Sequence, residues 1–557
     1  MFTRHTPLNI AFNAMMATFG RASAQALLRG TDDPMRSQES ALADILSSLA
    51  GTEFGQMHGY SEIRGADAFR DRVPICSYED IRPFIDRQIA TGASGIVLKQ
   101  PILYARTSGT TGRPKYIPVT RAVAQRLRTA QRAMTYFQHE ACSPFDGRIL
   151  AIGGAVEEEM LADGTPAGAV SGMIYRTMPR TLRGKYVLPS EVFDIGDYDL
   201  KYAIIARLAL QHSDISVMST ANPSTFLRLL EHISTDLPAL AAAVGQGACA
   251  DLDRLPRIQA NAVRNVLRAA PERAVELQRL AQTEHPLTLG QLWPNLKAVI
   301  AWTGGSCVFA AESVKRMLPP GARMIETGYV ASEMRGTVIA DVDRSLGLPL
   351  FHDVFFEFVP AAQWDEGRRD TLLLHELEAG CDYQIFVTTH GGLCRYHIND
   401  VVRITGFISA TPTLAFVRKG RGTTNITGEK LTEEQAGLAI RDAANRFALN
   451  VPFYLLLADE RSSTYRLMIE NEQANTLAVA EAIEGELSRL NIEYASKRAS
   501  GRLGALQVVA LKPGTGEAYR RHCLAKGQRE AQFKIQALQN LRDCEFDFGP
   551  FEALGIS

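Results

Sequence analysis

L-K-A-V-I-A-W, Leu296 to Trp302, is a short, nearly continuous apolar run that stops at Gly304-Gly305. A strand with one wet face alternates apolar and polar residues. A run that does not alternate suits a strand covered on both faces, as in the sheet of an α/β domain. D-I-S-V-M-S-T (Asp214 to Thr220) also reads as a strand, and A-N-P-S-T-F-L-R-L-L-E-H-I after it as a helix. Asn222 is placed to cap that helix, Pro223 stands at its first turn, and Phe226, Leu229, Leu230 and Ile233 share one face. H-D-V-F-F-E-F-V-P and D-Y-Q-I-F-V-T-T are further strands, dense in β-branched and aromatic residues. The first hundred residues read instead as helices, broken by polar stretches such as R-G-T-D-D-P and G-Y-S-E-I-R-G. Strands alternating with helices predict a large α/β body.

A second texture begins at R-K-G-R-G-T-T-N-I-T-G-E-K-L, Arg418 to Leu431. A helix (T-E-E-Q-A-G-L-A-I-R-D-A-A-N-R-F), two strands (F-Y-L-L-L-A and Y-R-L-M-I-E), another helix around A-V-A-E-A-I-E-G-E-L and a strand, L-Q-V-V-A-L, follow. A chain of 557 residues is too long for one simple core. The expected organisation is a large N-terminal domain over 1–417 and a small, mobile α+β domain over 418–557, hinged near 418–421.

Composition excludes more than it identifies. Sixty Lys and Arg nearly balance 61 Asp and Glu, leaving a formal net charge of −1 and no general affinity for nucleic acid. The eight cysteines form no C-x-x-C pair, which argues against a zinc site and for reduced thiols. No signal-peptide pattern opens the chain, and no run approaches the roughly 20 apolar residues of a membrane span. The expectation is a soluble cytoplasmic enzyme, monomeric or weakly oligomeric, without nucleic-acid or membrane partners.

The chemistry is concentrated in T-S-G-T-T-G-R-P-K-Y, Thr107 to Tyr116. Gly109 and Gly112 permit turns that bring backbone N–H groups close to anionic oxygens. Thr107, Ser108, Thr110 and Thr111 add hydroxyl donors, and Lys115 adds a fixed charge. A polar surface loop between strands has a similar look, but this combination favours a polyphosphate. No Gly-Lys-Ser/Thr ends the string, so it is not a Walker A loop.

This string resembles the phosphate loop of the adenylate-forming superfamily. Three further boxes narrow the likeness to the Gretchen Hagen-type, auxin-responsive acyl acid–amido synthetases. T-G-Y-V-A-S-E (Thr327 to Glu333) resembles their Y-x-x-S-E box, and C-R-Y-H-I-N-D-V-V-R-I-T-G-F (Cys394 to Phe407) their Y-R-x-G-D box. G-E-K-L-T-E-E (Gly428 to Glu434) resembles the lysine segment after the hinge. F-F-E-F-V-P, F-V-T-T-H-G-G-L, T-E-F-G-Q-M-H-G-Y and F-R-D-R-V-P-I-C-S-Y-E-D-I are similar to family framework. The likeness therefore runs from about Gly51 to beyond Lys430.

The resemblance implies an α/β adenylate-forming fold that uses ATP with Mg²⁺ to activate a carboxylic acid, then passes the acyl group to an amine, most simply of an amino acid. It implies that Thr107, Ser108, Gly109, Thr110 and Thr111 contact the phosphates with Lys115 nearby, and that Thr327, Gly328 and Tyr329 line the adenine. Glu333 would approach the metal, Asp400 would accept from the ribose hydroxyls, and Arg403 and Lys430 would stand near the ribose and α-phosphate. Lys430 and Lys115 are the catalytic candidates. Taken alone, Asp400 could equally end a strand, Glu333 could be a surface carboxylate, and Lys430 sits where solvated lysines are common. For the acyl pocket, Met173, Ile174, Tyr175 and Trp302 are candidate walls and Arg176 a candidate carboxylate partner; core packing suits the same residues as well. His390 and His397 lack a second ligand at H-E-x-x-H spacing and are expected to be structural.

Three departures stand out. His397 replaces the plant enzymes' usual arginine, and Asn399 replaces glycine, although asparagine tolerates positive φ. Q-F-K-I-Q-A-L, with Lys534, resembles the family's terminal lysine segment without its Pro-Arg. Two alternatives remain open: transfer of the acyl group to coenzyme A or a carrier thiol, and a non-catalytic sensor of nucleotide or acid.

Overall fold

A computed structural model of the chain describes residues 7–107, 114–283, 285–304, 307–420, 422–471, 477–525 and 535–553. Among the described residues the chain divides into two compact units, one made from the residues up to Arg106 with Lys115–Val417, the other from Thr107 and Pro114 with the residues from Arg418 onward.

In the first unit, strands Arg148–Ala151, Ile215–Ser219, Ala298–Ala301 and Arg323–Glu326 form a parallel sheet in chain order. Ala298–Ala301 is flanked on both edges and buried at every residue, which explains its unbroken apolar run. The helix Ser224–Thr235 buries Phe226, Leu229, Leu230 and Ile233 as one face, together with Trp293 and the helix Tyr198–Leu210. Asn222 does not occupy the cap position, which is Pro223; its Oδ1 accepts from the Ser224 N–H at 2.9 Å in a turn just ahead of the helix. Pro223 lies one residue ahead of the helix rather than inside its first turn.

A second, five-stranded sheet runs in the order Leu372–Leu373, Val354–Pro360, Asp382–Thr389, Tyr396–Ile408, Thr411–Lys419. The first four strands pair antiparallel. Its register breaks where Gln384 faces Val401 and Phe386 faces His397, so Ile398, Asn399 and Asp400 bulge opposite Ile385. A smaller sheet carries Lys115–Val119 and Leu103–Thr107. The second unit is α+β: a four-stranded sheet of Gln507–Leu511, Thr464–Glu470, Tyr454–Asp459 and Leu538–Asn540, with helices Glu433–Arg446 and Leu477–Leu490 sharing its apolar core. Among the described residues no helix is long and apolar enough to cross a membrane.

The parallel-sheet region carries a titration that can be measured. Burial, together with Arg148, Arg268, Arg207 and Arg273, pulls His212 down from 6.5 to about 3. Unfolded, the ring takes up its proton near its ordinary value; folded, it resists until about pH 3. Between those values the unfolded chain holds more protons, so stability should fall as pH drops from about 6.5 toward 3. Denaturation of wild type and His212→Gln across this range tests it; identical pH slopes would remove His212 from the account.

Candidate active site

Ligands of α/β sheets bind beyond the carboxyl ends of the strands, and here that edge is organised by Glu326, the last residue of its strand. One of its oxygens accepts from the Thr303 N–H and hydroxyl, both at 2.6 Å, and the other from the Gly328 N–H at 2.8 Å. Burial raises the Glu326 pKa against the pull of these donors. The carboxylate thereby ties the loop after Ala298–Ala301 to the loop that begins Thr327-Gly328-Tyr329. Thr327 donates its N–H to the Ala301 carbonyl at 3.2 Å. Gly328 has φ +88°, and a Cβ there would stand 2.8 Å from the Thr337 hydroxyl, the same oxygen that accepts from the Tyr329 N–H.

Tyr329 is buried, stacks on Phe416 at 6.0 Å and 16°, and donates its phenol proton to Asp400 Oδ2 at 2.7 Å. Burial first, then Asp400, holds that phenol far above the ordinary tyrosine range. Asp400, only 2% exposed, is delivered by the bulge. The bulge needs a left-handed residue, and Asn399 supplies it at φ +57°. Glu333 is 9% exposed, so it is no surface carboxylate, and its charge acts on both Tyr329 and Tyr396. Lys115 Nζ donates to the Tyr396 hydroxyl at 3.2 Å and lies 5.5 Å from the Tyr78 ring centre. The first unit therefore gathers Lys115, Tyr329, Glu333, Tyr396 and Asp400 from three stretches of the chain. Tyr396 was missing from the sequence-based set, although it stands in the same box as Asp400.

Thr107 ends the Leu103–Thr107 strand and is buried. Ser108, Gly109, Thr110 and Thr111 lie outside the described residues, as do Lys534 and Arg421 of the predicted hinge. In the second unit Lys430 occupies a left-handed position, φ +48°. The fully buried Glu429 fixes its loop by accepting from the N–H groups of Ile426 (2.6 Å) and Thr427 (2.7 Å) and from the Tyr465 hydroxyl (2.6 Å). Burial would raise Glu493; Lys497 and then Lys430 instead hold it below the usual carboxylate range. The lysine is thus part of a built loop, ahead of the Thr432 cap of the next helix.

Several expectations change. Arg403 does not join Asp400: it is half exposed and forks onto Asp382 at 2.6 and 2.9 Å. Tyr175 belongs to the core, ringed by Tyr186 and Phe193 at 4.9 Å and donating to the Leu188 carbonyl. Arg176 already has a carboxylate, Asp194. Met173 is buried in the main core, Ile174 packs against that core, and the backbone N–H of Trp302 donates to the Ala221 carbonyl at 2.9 Å. His397 lies between Trp364 and Phe386, with Nε2 3.2 Å from Gln384. His390 faces Ser48 and Asp44. Among the described residues no cluster of three or more His, Cys, Asp or Glu is placed to hold a metal.

A multi-sheet α/β body followed by an α+β unit is the fold of the adenylate-forming ligases. Within that class the chain belongs to the GH3 family: the family's N-terminal domain matches residues 24–320, its central domain 347–419 and its C-terminal domain 434–543. Over 553 residues it is 25% identical to jasmonoyl–L-amino acid synthetase GH3.5 of Oryza sativa subsp. japonica, covering 92% of this chain and 93% of the relative. It is 24% identical over 532 residues to indole-3-acetic acid-amido synthetase GH3.8 of Oryza sativa subsp. indica, covering 89% and 87%. The solved structure of AtGH3.15 acyl acid amido synthetase in complex with 2,4-DB superposes with a TM-score of 0.67 at 20% identity, over 93% of this chain and 94% of that one.

Proposed function

We propose that the chain is an ATP-dependent acyl acid–amido synthetase that adenylates a carboxylic acid and then joins it to the amine of an amino acid. The observation that carries this reading is the Tyr329–Asp400 hydrogen bond, which joins two family boxes 71 residues apart at the carboxyl edge of the parallel sheet. Asp400 suits a pair of ribose hydroxyls, because an ionised carboxylate accepts several hydrogen bonds at once. Tyr329, with its phenol committed to Asp400, offers a fixed ring for the base.

In the first step an oxygen of the acid displaces pyrophosphate at the α-phosphorus. In the second the amine displaces AMP from the acyl carbon. Bringing one anion to another requires compensating charge, and Lys115 and Lys430 supply it. Glu333, a single buried carboxylate, fits Mg²⁺, which keeps waters and draws its other ligands from phosphates; bound there, the ion would offset negative charge on the triphosphate. Movement of the second unit near 418–421 would exclude water from a readily hydrolysed intermediate.

Acid-dependent exchange of labelled pyrophosphate into ATP tests adenylation across an acid panel. AMP release on adding amino acids or coenzyme A then tests the acceptor. No exchange with any acid would leave a binding protein, and release driven by coenzyme A alone would make the chain a thioester ligase. Lys430→Ala should slow exchange by about 10- to 150-fold, the weight of a hydrogen bond to a charged group, with the KM for the acid little changed. Wild-type exchange in that variant would take the lysine out of adenylation.

A further inference from the structure

Arg335 lies two residues beyond Glu333, in the loop that carries Tyr329, where a backbone bridge pairs it with Val330. Its guanidinium is directed at the helix Arg121–Cys142. There Nη2 donates to Gln131 Oε1 at 3.2 Å and Nη1 meets Met134 Sδ at 3.3 Å. Both acceptors are neutral, and a thioether is a weak one. Arg395 faces Glu357 and Arg498 faces Glu484, but among the described residues no carboxylate pairs with Arg335. Burial alone depresses its pKa. Arg335 is half-buried, and a cation partly withdrawn from water without a counter-charge is a suitable partner for an anion delivered by a ligand. Most of the five-donor fork is left over, and a planar carboxylate matches it. The guanidinium's contacts are with the helix Arg121–Cys142, whereas Tyr329 is committed to Asp400.

We propose that Arg335 binds a substrate carboxylate other than the one adenylated. The source is either a second carboxylate on the acid or the α-carboxylate of the amino acid. The inference rests on the amido-synthetase reading and adds a selection rule to it: one substrate must carry an anionic group that survives the reaction. The fork lies in the same short loop as the proposed adenine and metal residues.

Wild type and Arg335→Met are compared on matched pairs that differ by one carboxylate. Glutarate against pentanoate in pyrophosphate exchange tests the acid. L-leucine against 3-methylbutylamine, in AMP release driven by an accepted acid, tests the amine. In one arm wild type should prefer the carboxylate-bearing member, and Arg335→Met should cut that preference by about tenfold or more. The kcat/KM of the neutral member should stay within about twofold. A ratio within one protein is immune to partial loss of folded enzyme. Arg335→Lys keeps the charge without the fork and should fall between the two. Unchanged ratios in both arms, or an effect confined to the KM for ATP, overturn the assignment. Should wild type exchange with no acid at all, the amido-synthetase reading fails by itself. Calorimetric binding of glutarate and L-leucine to the two proteins then decides Arg335, and equal affinities reject it.

Discussion

Glu357→Ala should lower the stability of the first unit by about 3–5 kcal/mol, the cost of leaving a buried charge without its partner. The Glu357 side chain is 1% exposed and that of Arg395 7%. The guanidinium makes contacts of 2.9–3.1 Å to both carboxylate oxygens, and its remaining donors reach the carbonyls of Arg70 (3.0 Å) and Val73 (2.8 Å). Thr371 adds a hydroxyl to Glu357 at 2.6 Å. Deleting the glutamate removes the only negative member of this set. Replacing both partners, Glu357→Met with Arg395→Met, should recover much of the loss, since neither change then strands a charge. Denaturant unfolding of the two single variants and the double variant gives the coupling. A single-variant loss below about 1 kcal/mol would mean that water reaches the guanidinium. The pair also bears on the site, because Arg395 immediately precedes Tyr396 and lies five residues before Asp400.

Asp400→Ala should raise the KM for ATP and lower kcat/KM by about 10- to 150-fold, which corresponds to about 1.5–3 kcal/mol for a hydrogen bond involving a charged group. Two losses combine: the ribose acceptor disappears, and the buried Tyr329 phenol loses the oxygen 2.7 Å away. Tyr329→Phe separates them, because it removes the donor and leaves the carboxylate for the ribose; its effect on the KM for ATP should be the smaller. Pyrophosphate exchange at varied ATP measures both. A wild-type KM in Asp400→Ala would place the ribose elsewhere.

Much of the architecture was legible because burial leaves a periodic trace. The run ending at Ala301 announced a doubly covered strand, and the stripe from Phe226 to Ile233 announced a helix face. The site was legible mainly by resemblance, and it went wrong where resemblance ran ahead of geometry. Asp400 and Arg403 are three residues apart on one strand, and alternation puts such residues on opposite faces; Arg403 duly turns to Asp382. Tyr175 stood open between pocket wall and core because the two have the same local sequence, and its burial among Tyr186 and Phe193 favours the core. Glu357 with Arg395, and Glu326 with Thr303, are contacts across 38 and 23 residues. No spacing rule foretells either pair, since strand order and register create them.

Arg395, Asn399 and Lys430 all hold left-handed backbone at φ +40°, +57° and +48°, a conformation that costs a branched or long side chain roughly 1–2 kcal/mol. Ser345, Ser409 and Ser463 hold it too. A thermostabilisation campaign that swaps such residues for glycine by rule should gain at the serines and be close to neutral at Asn399. At Arg395 and Lys430 the same swap relaxes the main chain while deleting a cation. Those two positions are therefore closed to the usual consensus remedy: under laboratory selection for heat tolerance Arg395 should persist for the buried pair it completes, whereas persistence of Lys430 would report selection for activity.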